Sequence, residues 1–144
     1  MTAPLPSGDS CVRAMRDALA DARIAPEQID YINAHASSTQ LNDRAETMSI
    51  KQVFGEHARR IPVSGTKGYY AHPLGATGAI EAALCALALD RQWIPPTINY
   101  QHVDPACDLD IVPNNGREAK LTYVMSNSFG FGGINACVVL GKVR

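Results

Sequence analysis

The stretch Ser64–Leu89, SGTKGYYAHPLGATGAIEAALCALAL, decides how the rest of the chain is read. An apolar run, Ile61 to Val63, leads into it and ends at Ser-Gly-Thr-Lys. A polar loop with Tyr69, Tyr70 and His72 follows, then a helix made almost wholly of Ala, Leu, Ile and Cys. Strand, polar loop and apolar helix in that order mark an α/β protein, in which side chains at the carboxyl end of a strand face a crevice. Lys67 and His72, five positions apart in the loop, are therefore candidate site residues. A helix apolar on every side is expected to be a core helix. Its one charge between Gly75 and Leu89 is Glu81. A carboxylate so placed either meets a cation or several donors, or lies on a narrow solvent edge.

Toward the amino terminus, residues 1–9 form a Pro/Gly/Ser-rich lead-in, and Ser7 to Ser10 offers helix N-cap types. Cys11, Met15, Ala18, Leu19 and Ala22 recur at helical spacing and predict a helix over Ser10–Ala22. Ile29–Ala34 reads as a strand, followed by the hydroxyl-rich loop HASST, His35 to Thr39. A second amphipathic helix is expected over Leu41–Phe54, with Leu41, Ala45, Met48 and Phe54 on its inner side and Gly55 as C-cap. Asp43 and Glu46 near its start suit the helix dipole without any functional role.

Toward the carboxyl terminus, residues 91–116 form a proline-rich excursion. Trp93, Ile94, Ile98, Leu109 and Ile111 within it need packing partners, so it is ordered and not a linker. Leu121–Met125 and Ala136–Leu140 read as strands. The tight glycine loop NSFGFGG, Asn127 to Gly133, joins them as an antiparallel pair. The order αβ, αβ, α, ββ predicts one α/β layered domain.

Composition removes several classes of function. The 144 residues are 46% hydrophobic and 19% charged, with a net charge of −1, as expected of a globular domain. No basic stripe argues for nucleic acid. The longest apolar run is too short and too weakly hydrophobic for a bilayer, and no secretory signal opens the chain. Four cysteines without CxxC spacing read as free thiols in a reducing, cytoplasmic setting. His35, His57, His72 and His102 show no zinc-ligand spacing. The glycine loop misses GxGxxG, because Asn135 stands at the third glycine and a strand follows.

His35 and His72 each sit in a loop after a strand. If those strands are neighbours in a parallel sheet, two imidazoles face one small space and can donate N–H groups to a developing oxyanion, with Lys67 raising the local positive potential. The alternative is two unrelated loop histidines.

Taken together, NAHASST, GTKGYYAHPLGATGAIEAA, PPTIN, CDLDIVP and SNSFGFGGINA resemble the carboxyl-terminal half of β-ketoacyl-acyl-carrier-protein synthases, nearest to the synthase II type, with polyketide ketosynthases as close relatives. The resemblance covers essentially the whole chain. It implies one half, residues 1–144, of the thiolase-like, five-layered αβαβα fold: a mixed sheet with helices on both faces. It implies decarboxylative condensation of malonyl and acyl thioesters carried on acyl carrier protein, with His35, His72 and Lys67 as catalytic residues. Ser37, Thr39, Phe129 and Phe131 fall on positions that meet the phosphopantetheine arm or gate the site. Asn33, Glu81, Ser126 and Asn127 fall around a structural monovalent cation, Na+ or K+; no tightly bound metal or other cofactor is implied. The family's nucleophilic cysteine lies in an amino-terminal half, so the expected partner is such a half or a full-length homologue. The competing readings are a non-catalytic, chain-length-type partner subunit and a polyketide ketosynthase fragment.

Two further expectations follow from the resemblance. The strand that opens the carboxyl-terminal half would precede Met1, so the sheet is expected to lack an interior strand. The family's glycines after the first histidine and before the second are Ala36 and Ala71 here, so each loop is strained if its backbone needs a positive φ.

Overall fold

The computed structural model describes residues 8–143. Helix α1 spans Asp9–Ala22 and buries Cys11, Val12, Met15 and Leu19, close to the predicted stripe; Ala22 is exposed. Its N-cap is Gly8, in the left-handed region at φ 67°, and not a hydroxyl residue. The Gly8 carbonyl accepts from the amides of Cys11 and Val12, at 2.9 and 3.0 Å. A side chain at Gly8 would meet the Ser49 hydroxyl at 2.3 Å, so glycine permits the close approach of the next helix.

Strand β1 (Tyr31–Asn33) leads to helix α2 (Gln40–Phe54), which is capped by the Thr39 hydroxyl accepting from Asn42 N. Strand β2 (Pro62–Ser64) leads through two short 3-10 turns to helix α3 (Thr77–Arg91). Two-residue strands β3 (Trp93–Ile94) and β4 (Asp110–Ile111) punctuate the proline-rich excursion, and β5 (Arg117–Glu118) follows it. The chain ends in β6 (Tyr123–Phe129) and β7 (Asn135–Gly141).

The main sheet has the order β4-β2-β1-β6-β7. All neighbours are parallel except β6 and β7, the predicted antiparallel pair. The expected interior gap is absent. β1 pairs with β2 through Ile32↔Val63 and Asn33↔Ser64, and with β6 through Tyr31↔Val124 to Asn33↔Ser126. The backbone groups of the central strand are thus satisfied on both sides by strands of this chain.

Strand alternation distributes the core to both faces. Ile32, Val63 and Met125 face one cluster with Met15, Leu19, Ile50 and Phe54 of α1 and α2. Tyr31 and Val124 face the other with Cys85, Ala88 and Leu89 of α3. Each large aliphatic side chain so buried contributes about 1.5–3 kcal/mol. The result is three layers, helix–sheet–helix, with helices on both faces as predicted.

Two helix faces differ from expectation. On α2, Leu41 and Met48 are largely exposed, and the inner face is instead Asn42, Ala45, Glu46, Ser49, Ile50 and Phe54. The first turns of α2 meet the polar ends of the strands and not an apolar surface, so polar groups turn inward there. Helix α3 is a core helix on one side only. Glu81, Cys85, Ala88 and Leu89 are buried, while Ala79, Ala83, Ala86 and Leu87 face outward.

Candidate active site

Three adjacent strands end at one place. β1 delivers His35, β2 leads to Lys67 and His72, and β6 ends at Phe129. Because β1 and β2 are parallel neighbours, their following loops open on the same sheet edge. The His35 and His72 rings meet edge-on, with centroids 5.3 Å apart and planes inclined by 75°. The Phe129 ring centroid lies 5.8 Å from that of His35, with the planes inclined by 52°.

His35 is buried, and its loop is held through the backbone. The amides of His35 and Ala36 each donate to one oxygen of Glu46, both at 2.9 Å. The His35 carbonyl accepts from Lys67 Nζ, which also donates to Glu81 Oε1. Burial first, then the positive charge of Lys67 and the His72 ring, lowers the His35 pKa to about 4. Its imidazole is therefore neutral at pH 7.

His72 is exposed and is held through its ring. Nδ1 accepts from the Leu74 amide at 3.2 Å and lies 3.1 Å from the Thr77 hydroxyl. With Nδ1 an acceptor, the proton of the neutral ring is on Nε2, which is left as a donor. Burial and Lys67 both lower the His72 pKa as well. The site thus holds two imidazoles whose pKa values are both lowered, with the buried Lys67 side chain bonded to the His35 carbonyl.

Glu81, the one charge of α3 before Asp90, is fully buried and meets the cation that such a carboxylate requires. Burial still raises its pKa, against the bond and charge of Lys67. Glu46 corrects the sequence reading. It is not a dipole-complementing surface residue but a buried carboxylate that accepts from His35 N, Ala36 N and Asn127 Nδ2, the last at 3.1 Å. Burial raises its pKa, opposed by the bonds from Ala36, His35 and Asn127. Its place at helical spacing among Asn42, Ala45 and Ser49 was the available sign that it faces inward.

Ser37 and Thr39 share a hydrogen bond at 3.1 Å and line a cavity of about 720 Å³, together with Lys67 and His72. Phe131 is not brought to the histidines. It lies in the Phe131–Gly133 turn and is 72% exposed. Gly132 and Gly133 of that turn adopt φ 76° and 81°, where glycine is needed. Asn33, Ser126 and Asn127 are buried, and Asn33 and Ser126 are register partners. Asn33 Oδ1, Glu81 Oε2, Asn127 Oδ1 and the ring Nδ1 of His35 are buried atoms with no hydrogen-bond partner among the described residues. Among the described residues no cluster of His, Cys, Asp and Glu has the makings of a metal centre.

None of the cysteines has the character of a nucleophile. Burial pushes Cys11 up to about 11 and Cys85 up to about 12, and raises Cys107 and Cys137 as well. All four are held as thiols, and a thiolate is needed for attack.

Residues 1–101 match the family model of the beta-ketoacyl synthase, C-terminal domain. The chain belongs to the β-ketoacyl synthase family. It is 50% identical over 143 residues to 3-oxoacyl-[acyl-carrier-protein] synthase 2 of Coxiella burnetii (strain RSA 493 / Nine Mile phase I), covering 99% of this chain and 34% of that protein. To the synthase 2 of Staphylococcus aureus (strain COL) it is 49% identical over 142 residues, again 99% and 34%. The chain thus spans about a third of the length of the curated relatives it matches. Among solved structures, it superposes on the AntDE:AntF complex, a type II PKS acyl-carrier protein with its ketosynthase, with a TM-score of 0.97 at 41% identity, covering all of this chain and 35% of that one. A beta-ketoacyl synthase from Burkholderia phymatum STM815 gives 0.90 at 42%, covering 96% and 34%. The layered α/β architecture is that of a thiolase-like ketosynthase.

Within this family the two orphaned alanine positions gain meaning. Ala36 has φ 39° and Ala71 φ 62°, so both loops that carry a histidine hold an L-residue in the left-handed region. The strain foreseen from the sequence is present at both.

Proposed function

We propose that this domain is the histidine-bearing half of a 3-oxoacyl-[acyl-carrier-protein] synthase acting in fatty acid elongation, in a cytoplasmic setting, and that it works when joined to a half bearing the nucleophilic cysteine. The observation that carries the proposal is the pair of imidazoles, ring centroids 5.3 Å apart, at the carboxyl edge of adjacent parallel strands. The synthase 2 relatives at 49–50% identity favour fatty acid over polyketide chemistry. The retained His35, His72 and Lys67 argue against a non-catalytic, chain-length-type subunit.

In the proposed reaction, malonyl-carrier protein places its thioester carbonyl between the histidines. The bond from the α-carbon to the carboxylate breaks, carbon dioxide leaves, and the electron pair passes into the thioester as an enolate. Nε2–H of His72 and an N–H of His35 stabilise the oxyanion, a task for donors and not for a strong base. Lys67 fixes the His35 carbonyl and adds positive potential. The enolate carbon then attacks the acyl thioester on the partner half's cysteine, and the thiolate leaves. Ser37 and Thr39 hold the phosphopantetheine arm along the cavity wall, and Phe129, beside the His35 ring, gates the approach to the histidines. The outward apolar face of α3, with Leu87 53% exposed, is the surface on which the cysteine-bearing half packs to complete five layers.

The proposal includes a monovalent cation, Na+ or K+, held by Asn33, Glu81, Ser126 and Asn127. Its support is the three partnerless buried oxygens, each of which is costly to leave unsatisfied. When bound, the ion neutralises the second oxygen of Glu81 and braces the ends of β1 and β6. A melting temperature higher in KCl or NaCl than in equimolar tetramethylammonium chloride is expected; equal values would remove the ion from the proposal.

The decisive experiment mixes the chain with a cysteine-bearing half and follows release of carbon dioxide from malonyl-carrier protein. Activity is expected only in the mixture, with His35→Ala and His72→Ala each reducing it about 10²–10³-fold while acyl loading of the partner cysteine persists. No activity from a folded mixture, or equal loss of both half-reactions in the variants, would reject these roles.

A further inference from the structure

Gly65 follows β2 and lines the same cavity wall as Ala36. Its backbone does not ask for glycine, since its φ is not positive. Space does. A Cβ placed on Gly65 would lie 2.6 Å from the Ala36 methyl, where carbon atoms pack at about 3.5–4.0 Å. Ala36 is the converse case. Its φ of 39° favours glycine, yet it carries a methyl. Across this contact, the residue free to bear a side chain has none, and the residue strained by one keeps it.

The contact bears on the one peptide that the site controls most closely. The Ala36 amide donates to Glu46 Oε2, the His35 amide to Glu46 Oε1, and the His35 carbonyl accepts from Lys67 Nζ. The Gly65 amide is fixed in turn by the Thr97 hydroxyl at 3.0 Å. The Ala36 methyl therefore rests on a backbone segment that cannot drift without breaking that bond. Polar bonds hold the His35–Ala36 peptide from two sides, and the methyl against bare backbone holds it from a third.

We propose that Ala36 and Gly65 form one reciprocal packing unit that positions the His35 ring. Gly65 is a positioning residue that acts through Ala36. The unit tolerates one methyl and not two. Its catalytic consequence rests on the function proposed above; its structural consequence does not.

The test is a cycle of four chains: the natural sequence, Gly65→Ala, Ala36→Gly, and the two together. Gly65→Ala is expected to lower the melting midpoint by about 5 °C, as overpacking does in a chain of this size. It is also expected to move the ring 15N and 1H resonances of His35 more than those of His72. The double variant returns both toward the natural values. If Gly65→Ala fails to fold, a folded double variant with natural His35 resonances supports the unit equally. A Gly65→Ala chain that matches the natural one in both readouts, or a double variant no better than Gly65→Ala, overturns it. In the two-half mixture, Gly65→Ala should cut the decarboxylation kcat about tenfold or more while KM holds, with recovery in the double variant. If the natural mixture is inactive but the stability and resonance cycle shows rescue, the functional reading falls and the packing unit stands.

Discussion

His35 and His72 stand 5.3 Å apart, yet the chain holds them by opposite means. His35 is buried, and its loop is gripped through backbone groups by the side chains of Glu46 and Lys67. His72 is exposed and is oriented by a bond to its own ring, donated by an amide two residues on. The backbone of one histidine is fixed by this chain, while its buried ring Nδ1 has no hydrogen-bond partner among the described residues, and its position is coupled to the stability of the domain. The other is set by a local turn and waits at a surface for whatever covers it. Changes around His35 should therefore register first in folding. Changes around His72 should register in chemistry and leave folding nearly untouched.

The largest effect on folding should come from Lys67. Replacing it with methionine strands Glu81, whose other oxygen already lacks a partner, and frees the His35 carbonyl. Breaking a buried ion pair from one side costs about 3–5 kcal/mol, which urea unfolding of Lys67→Met should reveal. Adding Glu81→Gln should recover much of that loss, because the stranded charge is the main penalty. Removing His72 instead, as His72→Ala, should change unfolding by no more than about 0.5 kcal/mol. Comparable losses at the two positions would erase the contrast.

Next in size is the response to pH. The folded pKa of His35, about 4, is below its ordinary value of 6.5. The unfolded chain therefore binds the proton more readily. The stabilising contribution of the neutral ring is complete above pH 6.5 and is lost as pH falls from about 6.5 toward about 4. Glu46 and Glu81, whose pKa values are raised, work the other way, favouring the fold as pH falls. They are common to the natural chain and to His35→Asn, so the difference between the two isolates the histidine. Relative to His35→Asn, the natural chain should lose about 2 kcal/mol over that interval, measured by urea unfolding at each pH. His72→Asn should separate from the natural chain in the same direction but by less, because the lowered pKa of His72 belongs to an exposed ring. A flat difference for His35 would mean that its ring is not desolvated.

What the sequence disclosed follows the same division. Apolar runs at β1, β2 and β6 placed the strands, and their following loops placed both histidines and Lys67. Glu81 was conspicuous because an apolar helix isolates a charge. Glu46 was not, because α2 turns a polar face inward, and a helix packed on strand ends obeys hydrogen-bonding demand and not hydrophobic periodicity. For the same reason β6 was read as ending at Met125. Ser126 and Asn127 are poor strand formers, and only pairing with β7 carries the ladder to Phe129. The expected gap in the sheet failed because neighbour order is a matter of long-range pairing, to which local sequence is blind. The outward face of α3 was read as core because composition cannot say which layer of a stack a helix borders.

The smallest expected effect discriminates most finely. Ala71 at φ 62° and Ala36 at φ 39° carry the same kind of backbone strain beside the two histidines. A left-handed conformation costs an L-residue about 1–2 kcal/mol. Glycine removes that cost, but its looser unfolded state takes back about 0.4–1 kcal/mol. Ala71 is exposed, so its methyl contributes little packing, and Ala71→Gly should stabilise the chain by about 0.5 kcal/mol. Ala36→Gly relieves similar strain but empties the contact with Gly65, so its gain should be smaller or vanish. Paired urea titrations of the two variants measure the difference directly. If Ala36→Gly stabilised the chain more than Ala71→Gly, the Ala36 methyl would not be supporting His35, and the loop would rest on Glu46 and Lys67 alone.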